Sequence, residues 1–206
     1  IMKYMKMALS GNFGNVFSVL VASIFLPFLP MIPIQILIQN LVYDFTQIAI
    51  PWDNVDSEFM RRPKKWDTRS LSRFMNVLGP TSSVFDVVTF AILWFVLGYR
   101  TVEQQTLFQT GWFIEGLISQ TVIVHFIRTS KIPFIQSRAD IRLIFSSFCG
   151  ILAALVLPAA LHPIASFHFT IMPADYYGFL VLILALYGAA IEGVKRLYIR
   201  KYGEWL

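Results

Sequence analysis

Asn12 and Asn15 in SGNFGNVFSVL, and Asn40 and Asp44 in IQILIQNLVYDFTQIAIP, are the residues whose types and spacing could bind a cation. Offsets of three and four put each pair on one helix face. Both stretches are otherwise apolar, and Ile34–Pro51 is long enough to cross a bilayer. A carboxylate in hydrocarbon is costly and marks an ion or substrate path with a partner nearby. Three amides and one carboxylate supply hard oxygen donors, which suit Mg²⁺ or Ca²⁺ rather than Zn²⁺ or Cu⁺. A single carboxylate favours an ion that keeps several waters, as Mg²⁺ does. The expectation is that two adjoining helices turn these polar faces together, with Gly11 and Gly14 allowing close backbone approach. The alternative is that the amides are interhelical hydrogen-bond glue.

Glu115, in GWFIEGLISQTVIVHF with Ser119 one turn on, could complete the cation shell from a third helix, or be a locally paired structural acid. Asp86 follows Ser82 and Ser83 on one face. Its neighbours are expected to be apolar, which favours a structural role. His125 reads as an interfacial hydrogen-bonding residue. His162 and His168 lie in a loop with no carboxylate beside them, so a metal site there is not expected.

The elements that must hold these residues are long apolar helices. Of 206 residues, 56% are hydrophobic and 14% charged, against about 25% charged in soluble domains. A bilayer core needs roughly 20 apolar residues per helix. Six stretches qualify, at about 4–28, 32–50, 74–97, 106–127, 141–161 and 176–197, with one long polar loop at 52–73. The fold class is therefore all-α, a polytopic transmembrane bundle of six helices, and 1–206 reads as one transmembrane domain. Pro33 suits a first-turn position.

Six spans put both termini on one side. Sixteen of the 17 basic residues fall on that side, and Arg100 alone lies opposite. The positive-inside rule makes it cytoplasmic. Trp52, Trp66 and Trp205 near the inner face and Tyr99 near the outer read as interfacial aromatics. The net charge of +5 therefore belongs to orientation. The run RRPKK reads as a solvated loop touching headgroups or a cytoplasmic domain, and nucleic acid is not a partner. One cysteine excludes a disulfide framework. No GxxxxGK[ST] loop, DKTGT sequence or Ser-His-Asp set is present, so this stretch by itself lacks machinery for ATP hydrolysis. The chain starts at Ile1 without Met, which suggests part of a longer protein.

MKYMKMALSGNFGNVFSVL, LPMIPIQILIQNLVYDFTQIAIP and DNVDSEFMRRPKKW resemble the carboxyl-terminal membrane half of P-type cation ATPases. The pattern P-[IV]-Q-x-L-x-x-N-L-x-x-D, Pro33 to Asp44 here, resembles their sixth membrane helix, and SGNFGN their fifth. Leu107–Ala139 is similar to a run of the bacterial magnesium-transporting subgroup. The likeness covers nearly the whole chain as the fifth to tenth membrane helices, and is weakest over Ile141–Tyr177.

The resemblance implies roles for single residues. Asn12, Asn40 and Asp44 match ligands of the calcium pumps; Asn15 stands where those have Glu, and Tyr43 where they have Thr. This implies one, less charged site rather than two calcium sites. Glu115 falls near a ligand-bearing acid of their eighth helix. The implied protein is a multi-pass protein of a bacterial plasma (inner) membrane, with both termini cytoplasmic, that imports Mg²⁺ by alternating access. Earlier membrane helices and cytoplasmic domains of the same polypeptide would handle ATP and form an aspartyl phosphate. A self-contained channel or ion-gradient-driven carrier is the alternative, though no inverted repeat is visible. A purely structural membrane subunit is the third reading.

Overall fold

The computed structural model describes residues 2–54, 68–203 and 205. The basic run 61–65 and Trp66 lie outside the described residues. Among the described residues six α-helices follow in order: α1 (Met2–Phe25), α2 (Pro33–Gln47), α3 (Thr68–Ala91), α4 (Gln105–Ile127), α5 (Ile141–Leu161) and α6 (Ala174–Tyr202). No strand occurs among the described residues, so the class is all-α. The segments Arg69–Val96, Val102–Ile127, Ile141–Leu161 and Ala174–Tyr202 are each long and apolar enough to cross a membrane. α1 has a shorter apolar part, Gly14–Phe25. α2 is shorter than its sequence suggests. Its 15 residues span about 22 Å, because the chain leaves the helix at Ile48 and makes a 3₁₀ turn over Ile50–Trp52, ending at Asp53.

α4 is the axis of the bundle. Residues on all its faces are buried, including Phe108, Trp112, Phe113, Ile114, Leu117 and Ile127. α1, α2, α3, α5 and α6 all pack against it. α1 lies chiefly on α3, not on α2 as expected. The reason is a row of small residues at a four-residue interval. Gly14, Ser18 and Ala22 are buried, and a Cβ on Gly14 would stand 3.3 Å from the Gly79 carbonyl oxygen and from Ser82 Cβ. Close backbone approach in membranes follows such rows. Gly14 therefore serves α3, while Gly11 meets Tyr43 of α2.

α2 is polar inward and apolar outward. Gln35, Gln39, Tyr43, Thr46 and Gln47 are buried, whereas Leu37, Leu41, Phe45 and Ile48 are exposed. That reversal suits a helix with hydrocarbon outside and hydrogen-bonding helices inside. It is pinned at its start by Gln35, whose Nε2 donates to the Phe167 and His168 carbonyls at 3.0 and 2.8 Å.

Charged residues close the helix ends. Arg128, 3% exposed, follows α4; its Nε donates to Asp53 Oδ2 at 2.7 Å. Its Nη atoms reach Ser137 Oγ at 3.1 Å, the Asn54 carbonyl at 3.0 Å and the Arg138 carbonyl at 3.2 Å. Asp53 Oδ1 also accepts from the Asp140 amide at 3.2 Å. Lys195 on α6 is fully buried, paired with Glu192 at 2.7 Å, and donates to the Lys131 carbonyl at 2.8 Å. Arg100 donates from Nε to the Trp94 carbonyl at 2.8 Å, closing the end of the helical segment Arg69–Val96.

The aromatic assignments change in part. Trp52 is exposed, but Trp205 is buried, packs on Phe74 and Tyr198, and donates to the Ile127 carbonyl at 2.8 Å. Tyr99 is buried as well. Trp205 fills a pocket where the end of α4 presents an open carbonyl to its indole N–H, and Tyr99 joins the apolar core.

Replacing Arg128 by Ala is expected to lower the stability of the detergent-solubilised protein by about 3–5 kcal/mol, since a buried ion pair and the guanidinium's bonds to three further acceptors are lost together. Arg128→Lys is expected to recover less than half of that, because one ammonium cannot reach four acceptors arranged as a fork. Thermal melting of the two variants checks both outcomes.

Candidate functional site

The candidate ligands divide into two places. Asn12 and Asn15 lie on α1 outside its seam with α3; Asn12 is exposed and Asn15 half-buried. On α2, Asn40 is half-buried at the edge of the inward polar stripe, whereas Asp44 is exposed on the outward side with Leu41 and Ile48. No hydrogen bond joins any two of the five candidate residues among the described residues. Among the described residues, α1 and α2 meet closely at Gly11 and Tyr43. The Tyr43 hydroxyl lies 2.9 Å from the position a Cβ would take on Gly11. Gly11 precedes Asn12 and Tyr43 precedes Asp44 in sequence, but both of those neighbours are exposed, and no contact joins them among the described residues.

Glu115 lies elsewhere. It is 1% exposed, and its carboxyl neighbours Asp86, Ser119 and Thr89. Its Oε2 has no hydrogen-bond partner among the described residues. Glu115 therefore faces α3 across the interior.

Asp86 departs from the sequence reading. Its surroundings are polar, not apolar. Ser18 Oγ donates to Oδ2 at 2.5 Å, and Trp112 Nε1 donates to Oδ1 at 3.0 Å. Ser18 comes from α1 and Trp112 from α4, so one carboxyl ties three helices together. A carboxylate in hydrocarbon requires such donors, and none of them is adjacent to Asp86 in sequence. Ser83 extends the same seam by donating to the Gly14 carbonyl at 3.0 Å.

Several buried amides were missed by motif reading. Gln39 rests on α4, its Nε2 2.9 Å from a Cβ position on Gly116, and its Oε1 has no partner among the described residues. Gln120 has none for either amide atom; it lines a small cavity with Gly11, Ser82 and Tyr187. The signal was available in α2, where Gln35, Gln39, Tyr43 and Thr46 recur at helical spacing. No grouping of three or more His, Cys, Asp or Glu residues suited to a metal occurs among the described residues. His125 bonds Ser147 Oγ at 2.9 Å and is buried, and His162 bonds the Phe169 carbonyl at 3.0 Å. Both are spoken for structurally.

A multi-pass helical membrane protein with carboxyl and amide groups inside its bundle is what this arrangement defines. The family described as "Cation transporting ATPase, C-terminus" matches residues 28–197, and the chain belongs to it. The chain is 50% identical over 206 residues, its full length, to the "Magnesium-transporting ATPase, P-type 1" of Salmonella typhimurium strain LT2. It is 51% identical over 203 residues, 98% of its length, to the protein of that name from Escherichia coli K12. In both cases it spans 22% of the relative's length.

Asp86→Ala is expected to cost about 1–3 kcal/mol of stability, because the Trp112 indole N–H and the Ser18 hydroxyl lose a buried acceptor. Asp86→Asn, which keeps an acceptor for Trp112, is expected to cost less. Thermal melting followed by tryptophan fluorescence separates the two.

Proposed function

We propose that this chain is the cation-binding membrane part of an ATP-driven magnesium transporter, taking Mg²⁺ as its transported substrate. The reading is supported by amide and acid residues on two apolar helices, α1 and α2, that meet at Gly11 and Tyr43, in a chain half-identical to magnesium-transporting ATPases.

Asn12, Asn15, Asn40 and Asp44 are the oxygen donors of α1 and α2 for the ion. One carboxylate and three amides leave room for waters that Mg²⁺ retains. Their partial exposure in this chain fits a site completed by membrane helices from the rest of the polypeptide. Glu115 contributes from the third side if α4 brings it toward the same ion; its unpartnered Oε2 is the group available for that.

The ATP-handling domains lie in the remainder of the protein, where an aspartyl phosphate forms and breaks. Its state reaches the site through α1, whose inner end is pinned to α3 by Lys6 Nζ donating to Ser70 Oγ at 2.9 Å. The site opens to one side at a time and delivers Mg²⁺ to the cytoplasm. The basic residues at both ends of the chain place both termini on the cytoplasmic face of a bacterial inner membrane.

Asp44→Asn and Asn15→Ala in the full-length protein are each expected to abolish Mg²⁺ uptake into proteoliposomes. Asp44 is exposed and makes no ion pair among the described residues, so Asp44→Asn is expected to change stability by less than about 0.5 kcal/mol. Uptake that survives Asp44→Asn would remove the reading.

A further inference from the structure

Tyr43 is 1% exposed, and its hydroxyl oxygen, Cζ and Cε1 lie 2.9, 3.6 and 3.7 Å from where a Cβ would stand on Gly11. The ring meets the bare backbone of α1 end-on, in a space that exists because residue 11 has no side chain. Elsewhere the two helices lean on other partners, α1 mainly on α3 and α2 mainly on α4 and α5.

Each helix is also backed on other sides by close contact. The Gly14 carbonyl accepts from Ser83 Oγ at 3.0 Å, and a Cβ there would be 3.3 Å from the Gly79 carbonyl oxygen. On α2, Gln39 Nε2 lies 2.9 Å from a Cβ position on Gly116, and Thr46 Cγ2 lies 2.5 Å from one on Gly150. These contacts seat α1 on α3 and α2 on α4 and α5; between α1 and α2, the close approach among the described residues is the Tyr43 hydroxyl against Gly11.

We propose that Tyr43 is a positioning residue whose contact with Gly11 fixes the α1–α2 spacing, and so the size of divalent cation that the site accepts. The assignment rests on Asn12, Asn15, Asn40 and Asp44 being the ligands. The distances are commensurate. Mg²⁺ holds oxygens at about 2.0–2.1 Å and Ca²⁺ at about 2.3–2.6 Å, a difference on the order of 0.8 Å across two opposed ligands. A methyl group on Gly11 would have to move from 2.9 Å to at least 3.4 Å from the hydroxyl to reach ordinary contact. A single added carbon thus widens the gap by an amount of the same order as the difference between the two ions.

The test uses the full-length protein in proteoliposomes, with Mg²⁺ and Ca²⁺ uptake measured separately. Gly11→Ala is expected to raise KM for Mg²⁺ about tenfold with little change in kcat, and to move the Ca²⁺-to-Mg²⁺ preference toward Ca²⁺, as expected of a mismatch of one carbon. Tyr43→Phe is expected to act more weakly alone. Combined with Gly11→Ala it is expected to restore the parental ion preference, because losing the hydroxyl makes room for the methyl. A purely structural role would alter melting temperature or amount of protein without moving the ion ratio. An unchanged ratio in Gly11→Ala, or a double variant no nearer the parent than Gly11→Ala, overturns the assignment. Should Gly11→Ala not fold, Tyr43→Leu shortens the strut and is read the same way; a parental ratio there overturns it. Loss of uptake in Asp44→Asn with an ion ratio indifferent to residues 11 and 43 removes the spacing argument alone. Uptake intact in Asp44→Asn removes the ligand reading beneath it.

Discussion

The rest of the structure depends on α4 being buried on every side. A helix without a free face can receive polar groups from all its neighbours, and α4 does so. Trp112 donates to Asp86 of α3, Gln39 of α2 rests on Gly116, and Ser147 of α5 meets His125. In hydrocarbon each such group must be satisfied within the protein. The apolar content of α4 therefore does not mark a lipid-facing helix. It marks a core around which five others distribute their polar residues.

Small residues decide how close those five can come. Gly14 seats α1 on α3, Gly116 seats α2 on α4, and Gly150 seats α5 against Thr46 of α2. Lipid tails are as apolar as leucine, so helix association in a membrane draws on close packing and hydrogen bonds more than on removal of water. Backbone-to-side-chain contacts of this kind fix separations to a few tenths of an ångström. A binding site assembled from oxygens on two helices needs its separations fixed on that scale.

The helix ends follow a different rule. There, long basic side chains are drawn inward to satisfy carbonyls left open by the last turn. Lys195 does this for the chain leaving α4, Arg100 for the end of the segment Arg69–Val96, and Arg128 for the turn that joins α2, α4 and α5. The same residues that orient a chain in a membrane can thus also lock its loops. Arg128 forms a buried pair with Asp53, and the two residues are brought together only by the meeting of α2 and α4.

The sequence by itself determined the all-α class, long apolar helices and the family; it did not determine where each helix ends, since α2 stops at Gln47 and α3 begins at Thr68 inside the stretch read as a loop. Apolar length and charge placement are local properties, and Pro33–Asp44 carries a dense family pattern. It also marked Asn12, Asn15, Asn40 and Asp44, since amides and acids in apolar runs stand out without any knowledge of neighbours. Only the tertiary structure decided which faces meet. Helical periodicity says that Gly11, Gly14 and Ser18 share a face of α1, not that Gly14 and Ser18 go to α3 while Gly11 receives Tyr43. The surroundings of Asp86 were hidden for the same reason: Ser18 and Trp112 are 68 and 26 residues away along the chain. The burial of Trp205 was not legible because an aromatic near a helix end reads alike whether it faces lipid headgroups or a neighbouring helix's open carbonyl. Side-chain type is written in one dimension; partnership in a membrane is set by which helices pack, and that is a property of the bundle.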